Sequence, residues 1–389
     1  MLDKKFVYQF TPQSLLTVDD FHIGKNLIRK DFLIDFMHMI LCKHFFTNKR
    51  VFHLSSEILK KKYGAHYNLY VNWLLENKYL QKSSNYFVGK QSNSYYMTDK
   101  VKENIMRYYN TNKTVVKKWT AKYLSSLNYS KIDNNILTWL INSLEHITID
   151  YDKAIEYINT LTDEDVIEKN KWAIDCIKNN TLYNTVDNYG RFHTNFTVLK
   201  STIRKNCLRI NGEETFEIDI KNSQPLFLIE VIEKTGYDMD DYKFVSELTF
   251  FRNLVFNGEI YDYLSNYDEQ KRSRVKVMMY HVLFGRNKKD KYNLYFRKKF
   301  PCIFKWIIQY KKLKQDYKCL AYELQMSESN FLFNTVLKKV KDKYPTMSLF
   351  TIHDSIAVPI SKKDDVEKIF YDTLREFISG LKKKDSFYI

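Results

Sequence analysis

The spacing of apolar side chains predicts helices in the first part of the chain. Between residues 26 and 46 apolar and basic positions alternate at helical spacing, which predicts one long helix. A shorter helix is predicted within 54–64, where Ser55 or Ser56 can cap its start and Gly64 ends it. A further helix is predicted over about 66–76, since its apolar residues recur at three- and four-residue steps.

Two strands are predicted after these helices, over 79–82 and over 86–97, around a polar Lys/Ser/Asn loop. Helix, short turn, helix and β-ribbon in this order resemble a winged helix-turn-helix covering about residues 48–100. In that family the second helix enters the major groove and the wing touches the backbone, so the resemblance implies contact with nucleic acid. Winged helices also serve as protein–protein modules, and the segment could equally be a structural helical cap.

The rest of the first half favours helix. Residues 101–180 are polar and largely helical in pattern, and their heptad-like apolar spacing continues over too few residues to predict a coiled coil. Nine glycines and five prolines are few for 389 residues, which favours long helices over a turn-rich β architecture. We therefore expect a mostly helical α+β protein with two or three domains.

Charge points to a polyanionic partner. The 62 basic and 46 acidic residues give a formal net charge of +16, and nucleic acid is the simplest polyanion to balance it. A Lys- and Asn-rich composition can also reflect an AT-rich genome, so the charge alone does not decide between the two.

The remaining composition favours a soluble, intracellular and cytoplasmic protein. The five cysteines are scattered without CxxC pairing, which is typical of free thiols in a reducing compartment. The N-terminal sequence lacks the apolar run of a signal peptide, and no stretch of eighteen or more apolar residues could span a bilayer. We expect no membrane partner.

The most informative segment is the run from Arg272 to Gly285. On a helix, Arg272, Lys276, Tyr280 and Phe284 fall at successive four-residue steps and form one stripe of two cations and two aromatic rings. Cations bind a triphosphate and aromatic faces stack on a base, so this stripe suits a nucleoside triphosphate held lengthwise. The same pattern also fits an amphipathic helix with two ordinary surface cations.

Two aspartates occur in apolar strand contexts on either side of this helix in sequence. Asp219 lies in 216–225, and Asp354 lies at the tip of an apolar hairpin over 349–359. An unpaired charge is costly in such surroundings, and coordination of Mg²⁺ gives a reason for both carboxylates. Phosphoryl transfer to a 3′-hydroxyl is helped by two divalent ions. For either residue alone, a capped turn or a buried salt bridge is the simpler interpretation, and it becomes weaker because both strands occur in order around the cationic helix.

The order of these motifs resembles the palm-and-fingers core of family A polymerases, which include repair and phage DNA polymerases and single-subunit phage and mitochondrial RNA polymerases. The matching motifs are Gly190-Arg191, Asp219, the stripe ending at Gly285, and His353-Asp354-Ser355, and two weaker matches are 257–261 and 325–329. Together they span about residues 185–365. The resemblance implies a polymerase right hand, with an antiparallel palm sheet, helical fingers and a reduced thumb.

The resemblance also implies a role for each matching residue. Asp219 and Asp354 would be catalytic and would bind two Mg²⁺ ions, which Mn²⁺ could replace. The expected nucleotide-binding residues are Arg272 and Lys276 on the triphosphate, Tyr280 near the base or sugar, Phe284 against the template base, and Gln224 beside the ribose. The expected nucleic-acid-binding residues are Arg191, Gln325 and His353, the last near the primer end.

Three positions depart from the DNA polymerase pattern or bear on the choice of sugar. Gln224 stands where those enzymes have glutamate and the RNA polymerases have glycine, and its bulk could still exclude a ribose. Phe284 lacks the hydroxyl of the tyrosine that the RNA polymerases have there. Both favour dNTPs, whereas Ser355 resembles the RNA polymerases.

We therefore expect a DNA-dependent DNA polymerase of a phage, plasmid or mobile element, acting on primer-template DNA. The expected domains are a winged helix over 1–110, a thumb-like or connecting region over 111–185, and the palm and fingers over 186–389. No Asp-x-Glu exonuclease motif is convincing, so no proofreading is expected. The alternatives are a single-subunit RNA polymerase or primase, and a DNA-binding replication initiator with an inactive polymerase-like core.

Overall fold

The computed structural model describes residues 7–47, 51–84, 93–102, 105–128, 131–180, 182, 184–238, 240–266 and 268–383. The fold is α+β and mostly helical, as predicted. It divides into two compact units, one formed by Met1–Asn128 with Leu161–Thr181 and the other by Tyr129–Thr160 with Leu182–Ile389.

This division differs from the three domains expected from the sequence. The residues of the expected connecting region, 111–185, are shared between the two units. It also contributes the strand at 147–149 to the sheet of the second unit, in a segment expected to be largely helical.

The first unit contains both short strands and helices. Its strands are β1 (Val7–Pro12), β2 (Phe21–Ile23), β3 (Asn26–Ile28), β4 (Phe52–His53), β5 (Leu80–Ser84), β6 (Ser94–Met97) and β7 (Ile105–Asn110). Its helices are α1 (Gln13–Leu16), α2 (Lys30–Thr47), α3 (Ser56–Tyr63), α4 (Tyr67–Glu76), α5 (Asp99–Lys102), α6 (Lys113–Asn128) and, from the later segment, α9 (Glu164–Lys178).

The helices predicted between residues 26 and 76 are present as α2, α3 and α4. The Ser55 hydroxyl accepts a hydrogen bond from the backbone N–H of Ile58, and Gly64 ends α3 at a φ of 82°. Strands β4, β6 and β5 form a three-stranded antiparallel sheet in that order. The predicted second strand is present at β6, whereas residues 85–92 of the ribbon lie outside the described residues.

A buried polar network holds the first unit together. The Asp35 carboxylate accepts hydrogen bonds from Gln9 Nε2 at 2.7 Å and from Trp119 Nε1 at 2.5 Å, and Lys62 Nζ lies 3.3 Å away. The Asn110 side-chain amide Nδ2 donates to Gln9 Oε1 at 2.7 Å. These bonds join α2, α6 and the β1–β7 pair, so a buried charge is compensated by several partners.

The second unit contains the remaining elements. Its strands are β8 (Ile147–Ile149), β9 (Asn184–Val186), β10 (Phe192–Thr194), β11 (Leu208–Ile210), β12 (Glu213–Asp219), β13 (Phe350–Ile352) and β14 (Ser355–Pro359). Its helices are α7 (Asn134–Ser143), α8 (Tyr151–Asn159), α10 (Ser201–Cys207), α11 (Ser223–Thr235), α12 (Tyr242–Phe256), α13 (Ile260–Leu264), α14 (Glu269–Phe284), α15 (Lys291–Lys299), α16 (Pro301–Leu313), α17 (Cys319–Phe331), α18 (Leu337–Lys343) and α19 (Lys363–Lys383).

A five-stranded antiparallel sheet organises this unit, in the order β13-β14-β12-β11-β8. Helix α19 packs on β12 and β14, and α11 packs on both α17 and α19. The central strands are apolar because they are covered: Ile218, Ile356, Ala357 and Val358 are all buried. Among the described residues, no helix combines the length and apolar character needed to cross a membrane.

Candidate active site

The pairing of β12 with β14 brings the two predicted aspartates together. In the antiparallel register Asp219 lies opposite Ser355, the residue that follows Asp354. Directly opposite residues of such a pair have Cα atoms about 4.5–5.5 Å apart, so the two aspartates are near neighbours at the same end of the sheet. Both line a single cleft of about 510 Å³.

Local backbone geometry exposes these residues at the strand ends. His353 occupies the left-handed region, with a φ of 51°, in the tight turn between β13 and β14. The Ser355 hydroxyl donates to the carbonyl of Ile352 at 3.0 Å and closes this turn. After Asp219, Asn222 is also left-handed, with φ 58° and ψ 36°, and directs the chain into α11. The cleft floor is formed by residues 219–224 together with Asp354.

Helix α14 forms the opposite wall and carries the predicted stripe. Arg272, Lys276 and Tyr280 line the cleft. The Arg272 guanidinium lies 2.9 Å from the carboxylate of Asp262, and Lys276 Nζ lies 5.6 Å from the centre of the Tyr261 ring. Both cations are therefore held at the cleft by residues of α13. The cleft thus has a carboxylate floor facing a cationic and aromatic wall.

The carboxyl end of α14 is fixed by two features. A Cβ added at Gly285 would lie 2.4 Å from the carbonyl oxygen of His281, so only glycine fits without a shift of the helix end. Lys311 of α16 is 3% exposed and donates to the carbonyls of Val282 at 2.9 Å and Gly285 at 2.8 Å. A lysine bound to the last carbonyls of a helix also interacts favourably with its dipole.

Three carboxyl groups, those of Asp219, Asp354 and Glu328, interact electrostatically at the floor of the cleft. Burial, followed by the charge of Glu328 and to a smaller extent that of Asp219, raises the pKa of Asp354 to about 7, although a backbone hydrogen bond and the charge of Arg191 act in the opposite direction. Burial also raises the pKa of Tyr280, with Asp354 and Glu328 adding to the effect. Carboxylates that repel one another in this way favour a cation between them.

His353 is neutral at physiological pH in this environment. Desolvation by the surrounding chain, followed by the positive charges of Arg191 and His193, lowers the pKa of His353 to about 4, although the residue is partly exposed. Its ring meets that of His193 edge-on, with centroids 5.9 Å apart. The ring can thus offer a neutral imidazole at the hairpin tip.

A buried glutamate lies behind the floor of the cleft. Glu328 of α17 is 1% exposed and accepts hydrogen bonds from Arg191 Nε at 3.1 Å, Ser223 Oγ at 2.7 Å and Gln224 Nε2 at 2.6 Å. A second nitrogen of Arg191 also contacts it. Because the guanidinium and two neutral donors share one carboxylate, the buried charge is compensated.

The structure brings most of the predicted site residues to one cleft: Asp219, Gln224, Arg272, Lys276, Tyr280 and Asp354. Phe284 is one turn further along α14 and packs on Tyr280, with ring centroids 5.3 Å apart. Arg191, Gln325 and His353 do not line this cleft. Arg191 is engaged by Glu328, His353 lies at the hairpin tip, and Gln325 is half-buried on α17.

Sequence reasoning gave no role to several residues of the site. Asn222, Tyr261 and Glu328 lie in or beside the sequence motifs named above, but those motifs predict no role for them. Asn222 could have been found from its position between a strand and a helix, where asparagine favours left-handed backbone. Glu328 has no such local signal, because its partners lie more than 100 residues away in sequence.

The donor set at the floor fits a hard divalent cation. Mg²⁺ is typically held by one or two carboxylates together with water and substrate phosphate oxygens. Asp219 and Asp354 supply that number, and the pKa of Asp354 is raised first by burial and then by the charge of Glu328. Within the described residues no group of three or more His, Cys, Asp or Glu side chains is placed so that it could hold a metal ion.

Comparison with known proteins adds no relative to this picture, since neither a protein-family model nor a curated protein sequence matches the chain.

Proposed function

We propose that this chain is a template-directed nucleotidyltransferase, and specifically a DNA-dependent DNA polymerase of the family A type without proofreading, from a phage, plasmid or other mobile element. The observation that carries the proposal is the β12–β14 register, which sets Asp219 beside Asp354 in one cleft. The cationic and aromatic face of α14 forms the other wall of that cleft. Two carboxylates facing two cations are the groups that a metal-bound triphosphate requires.

The residues of the cleft divide the work between its two sides. Asp219 and Asp354 would hold Mg²⁺, which when bound favours ionisation of a primer 3′-hydroxyl and neutralises charge on the triphosphate. Arg272 and Lys276 would bind the triphosphate oxygens by charge-assisted hydrogen bonds. Tyr280 is 49% exposed and offers its ring face to a base or sugar.

Deoxynucleotides are the proposed substrates because of Gln224 and Phe284. Gln224 is 5% exposed and keeps its full side chain in the cleft floor, where a glycine would leave room for a 2′-hydroxyl. Phe284 has no hydroxyl to bind a ribose. A ribonucleotide-selective enzyme would need more space or a donor at these positions.

Primer extension with separate dNTP and NTP pools, in Mg²⁺ and in Mn²⁺, tests the proposal. We expect extension with dNTPs and its loss in Asp219→Asn and Asp354→Asn, each with primer-template affinity retained. The matched control is Asp152→Asn, which removes an exposed carboxylate of α8 and should extend normally. Extension only with NTPs would identify an RNA polymerase or primase, and extension with neither pool would favour a DNA-binding replication protein with an inactive core.

We further propose that the first unit contains a winged helix that contacts nucleic acid. Helices α3 and α4 precede a β5–β6 hairpin that pairs with β4, which is the order of elements in that fold. Exposed cations lie on α3 at Lys60 and Lys61 and on β5 at Lys82.

Affinity for duplex DNA, measured over a range of salt concentrations, tests this second proposal. Replacing Lys60 and Lys61 with alanine should weaken binding and lower the salt slope by about two, since each phosphate contact contributes roughly one. The matched control replaces two uncharged residues of α4, Asn68→Ala with Asn72→Ala. It should leave the salt slope unchanged while altering the sequence preference of binding. An unchanged slope in the lysine variant would mean that this face does not bind the phosphate backbone.

A further inference from the structure

The strongest unexplained feature of the cleft is a pair of buried polar atoms in its floor. Gln224 Oε1 and Asn222 Nδ2 are both buried and, among the described residues, neither has a hydrogen-bond partner. Both residues line the cleft. An unpaired buried acceptor is energetically costly, so atoms left in this way at a cleft indicate a ligand that pairs with them.

The orientation of the Gln224 amide is set by Glu328. An ionised carboxylate can only accept hydrogen bonds, so the Gln224 group that lies 2.6 Å from it must be the NH₂. The amide carbonyl is consequently turned away from Glu328. The carboxylate is itself held by Arg191 and by the Ser223 hydroxyl, and it is 1% exposed, so it cannot turn to release the amide.

We propose that Glu328 is a positioning residue for sugar recognition, which fixes the Gln224 amide so that its carbonyl accepts a hydrogen bond from a sugar hydroxyl of the incoming nucleotide. This inference rests on the proposed function, because it takes the nucleotide to be the occupant of the cleft. Gln224 then has two roles in one side chain, filling space near the ribose and offering one directed acceptor. The ligand chemistry is a hydroxyl donor, which a 3′-hydroxyl or a 2′-hydroxyl can supply.

Nucleotide binding without turnover tests this inference. Dissociation constants of ddNTP, dNTP and NTP would be measured by calorimetry on the full chain with primer-template, in Ca²⁺ in place of Mg²⁺. We expect dNTP to bind roughly fivefold more tightly than ddNTP, which corresponds to one neutral hydrogen bond. If dNTP and ddNTP bind alike and NTP binds more tightly than either, the hydrogen-bond donor is the 2′-hydroxyl; Gln224 then still accepts a sugar hydroxyl, but the deoxynucleotide preference proposed above is wrong.

Two variants connect that preference to Glu328. Glu328→Gln can donate as well as accept, so the Gln224 amide is free to reverse, and the preference should fall below about twofold. Gln224→Leu keeps the side-chain bulk, removes the carbonyl and should have the same effect even if Glu328→Gln does not fold. The double variant should show no further loss, because both changes act on one hydrogen bond.

The matched control is Glu233→Gln, which breaks another buried pair, that between Glu233 and Arg252, at a position outside the cleft lining. It should lower stability and leave the sugar preference intact. Equal binding of all three nucleotides by the wild type, or a preference that survives both Glu328→Gln and Gln224→Leu, would overturn the inference while leaving the polymerase proposal standing. Absence of any nucleotide binding would instead remove the polymerase proposal itself.

Discussion

Replacing Asp354 with asparagine should stabilise the protein at neutral and alkaline pH, even though it removes a proposed metal ligand. The pKa of this carboxyl is raised from 3.8 to about 7, first by burial and then by the charge of Glu328. An acid with a raised folded-state pKa contributes stability that is present below its unfolded pKa and is lost as pH rises through the folded value. The loss therefore accumulates between about pH 4 and pH 7.

The size of the effect follows from the same shift. Each unit of pKa difference is worth about 1.4 kcal/mol, so a shift from 3.8 to about 7 corresponds to at most about 4 kcal/mol. Asp354 keeps some contact with solvent, which reduces this bound to about 2 kcal/mol. Asparagine has nearly the same shape and carries no charge, so the variant should recover most of that amount at about pH 8 and almost none at about pH 4.

Urea unfolding of the wild type and Asp354→Asn at the two pH values measures the difference directly. Asp219→Asn is the control in the same cleft, because Asp219 is exposed and its charge is the smallest of the contributions to the Asp354 shift. Adding Mg²⁺ should reduce the difference in unfolding free energy between the two proteins at high pH, since only the wild type is stabilised by a bound cation. A variant no more stable than the wild type at about pH 8, or equally stabilised at both pH values, would refute the assignment of Asp354 as a destabilised buried carboxylate.

Three further predictions concern helices of the second unit. Burial lowers the pKa of Lys311 from 10.5 to about 8, so as pH rises the folded chain loses this proton before the unfolded chain does. The free energy of unfolding of the wild type, measured relative to that of Lys311→Met, should therefore increase by about 2 kcal/mol between about pH 8 and pH 10. Gly285→Ala should destabilise by about 1–3 kcal/mol and weaken nucleotide binding, because its Cβ meets the carbonyl oxygen of His281 at the end of α14. Gly380→Ala, on α19 with nothing within 4 Å of the added Cβ, should instead stabilise by about 0.5–1 kcal/mol in the same assay.

What the sequence could predict depends on how local the responsible interactions are. The stripe of α14 and the cap of α3 by Ser55 were predictable because helix periodicity and capping involve residues within a few positions of one another. The β1–β7 pair was missed because it joins segments about 100 residues apart, and neither strand alternates strongly enough to show one buried face. The division of 111–185 between two units was missed for the same reason, since it is decided by packing partners and not by composition.

The candidate site shows the same limit more sharply. Asp219 and Asp354 were predicted to act together from their shared apolar context, from metal chemistry and from a resemblance, because 135 positions separate them and no pattern in either strand specifies the register between β12 and β14. Gln224 was predicted as bulk beside a ribose, which requires only its size. Its orientation depends on a hydrogen bond to Glu328, which lies 104 positions later in the sequence and within a helix whose local pattern does not mark it. The orientation of a side chain is thus set by tertiary contacts. In this cleft, the orientation of the Gln224 amide decides whether the residue merely fills space or accepts a hydrogen bond from the sugar.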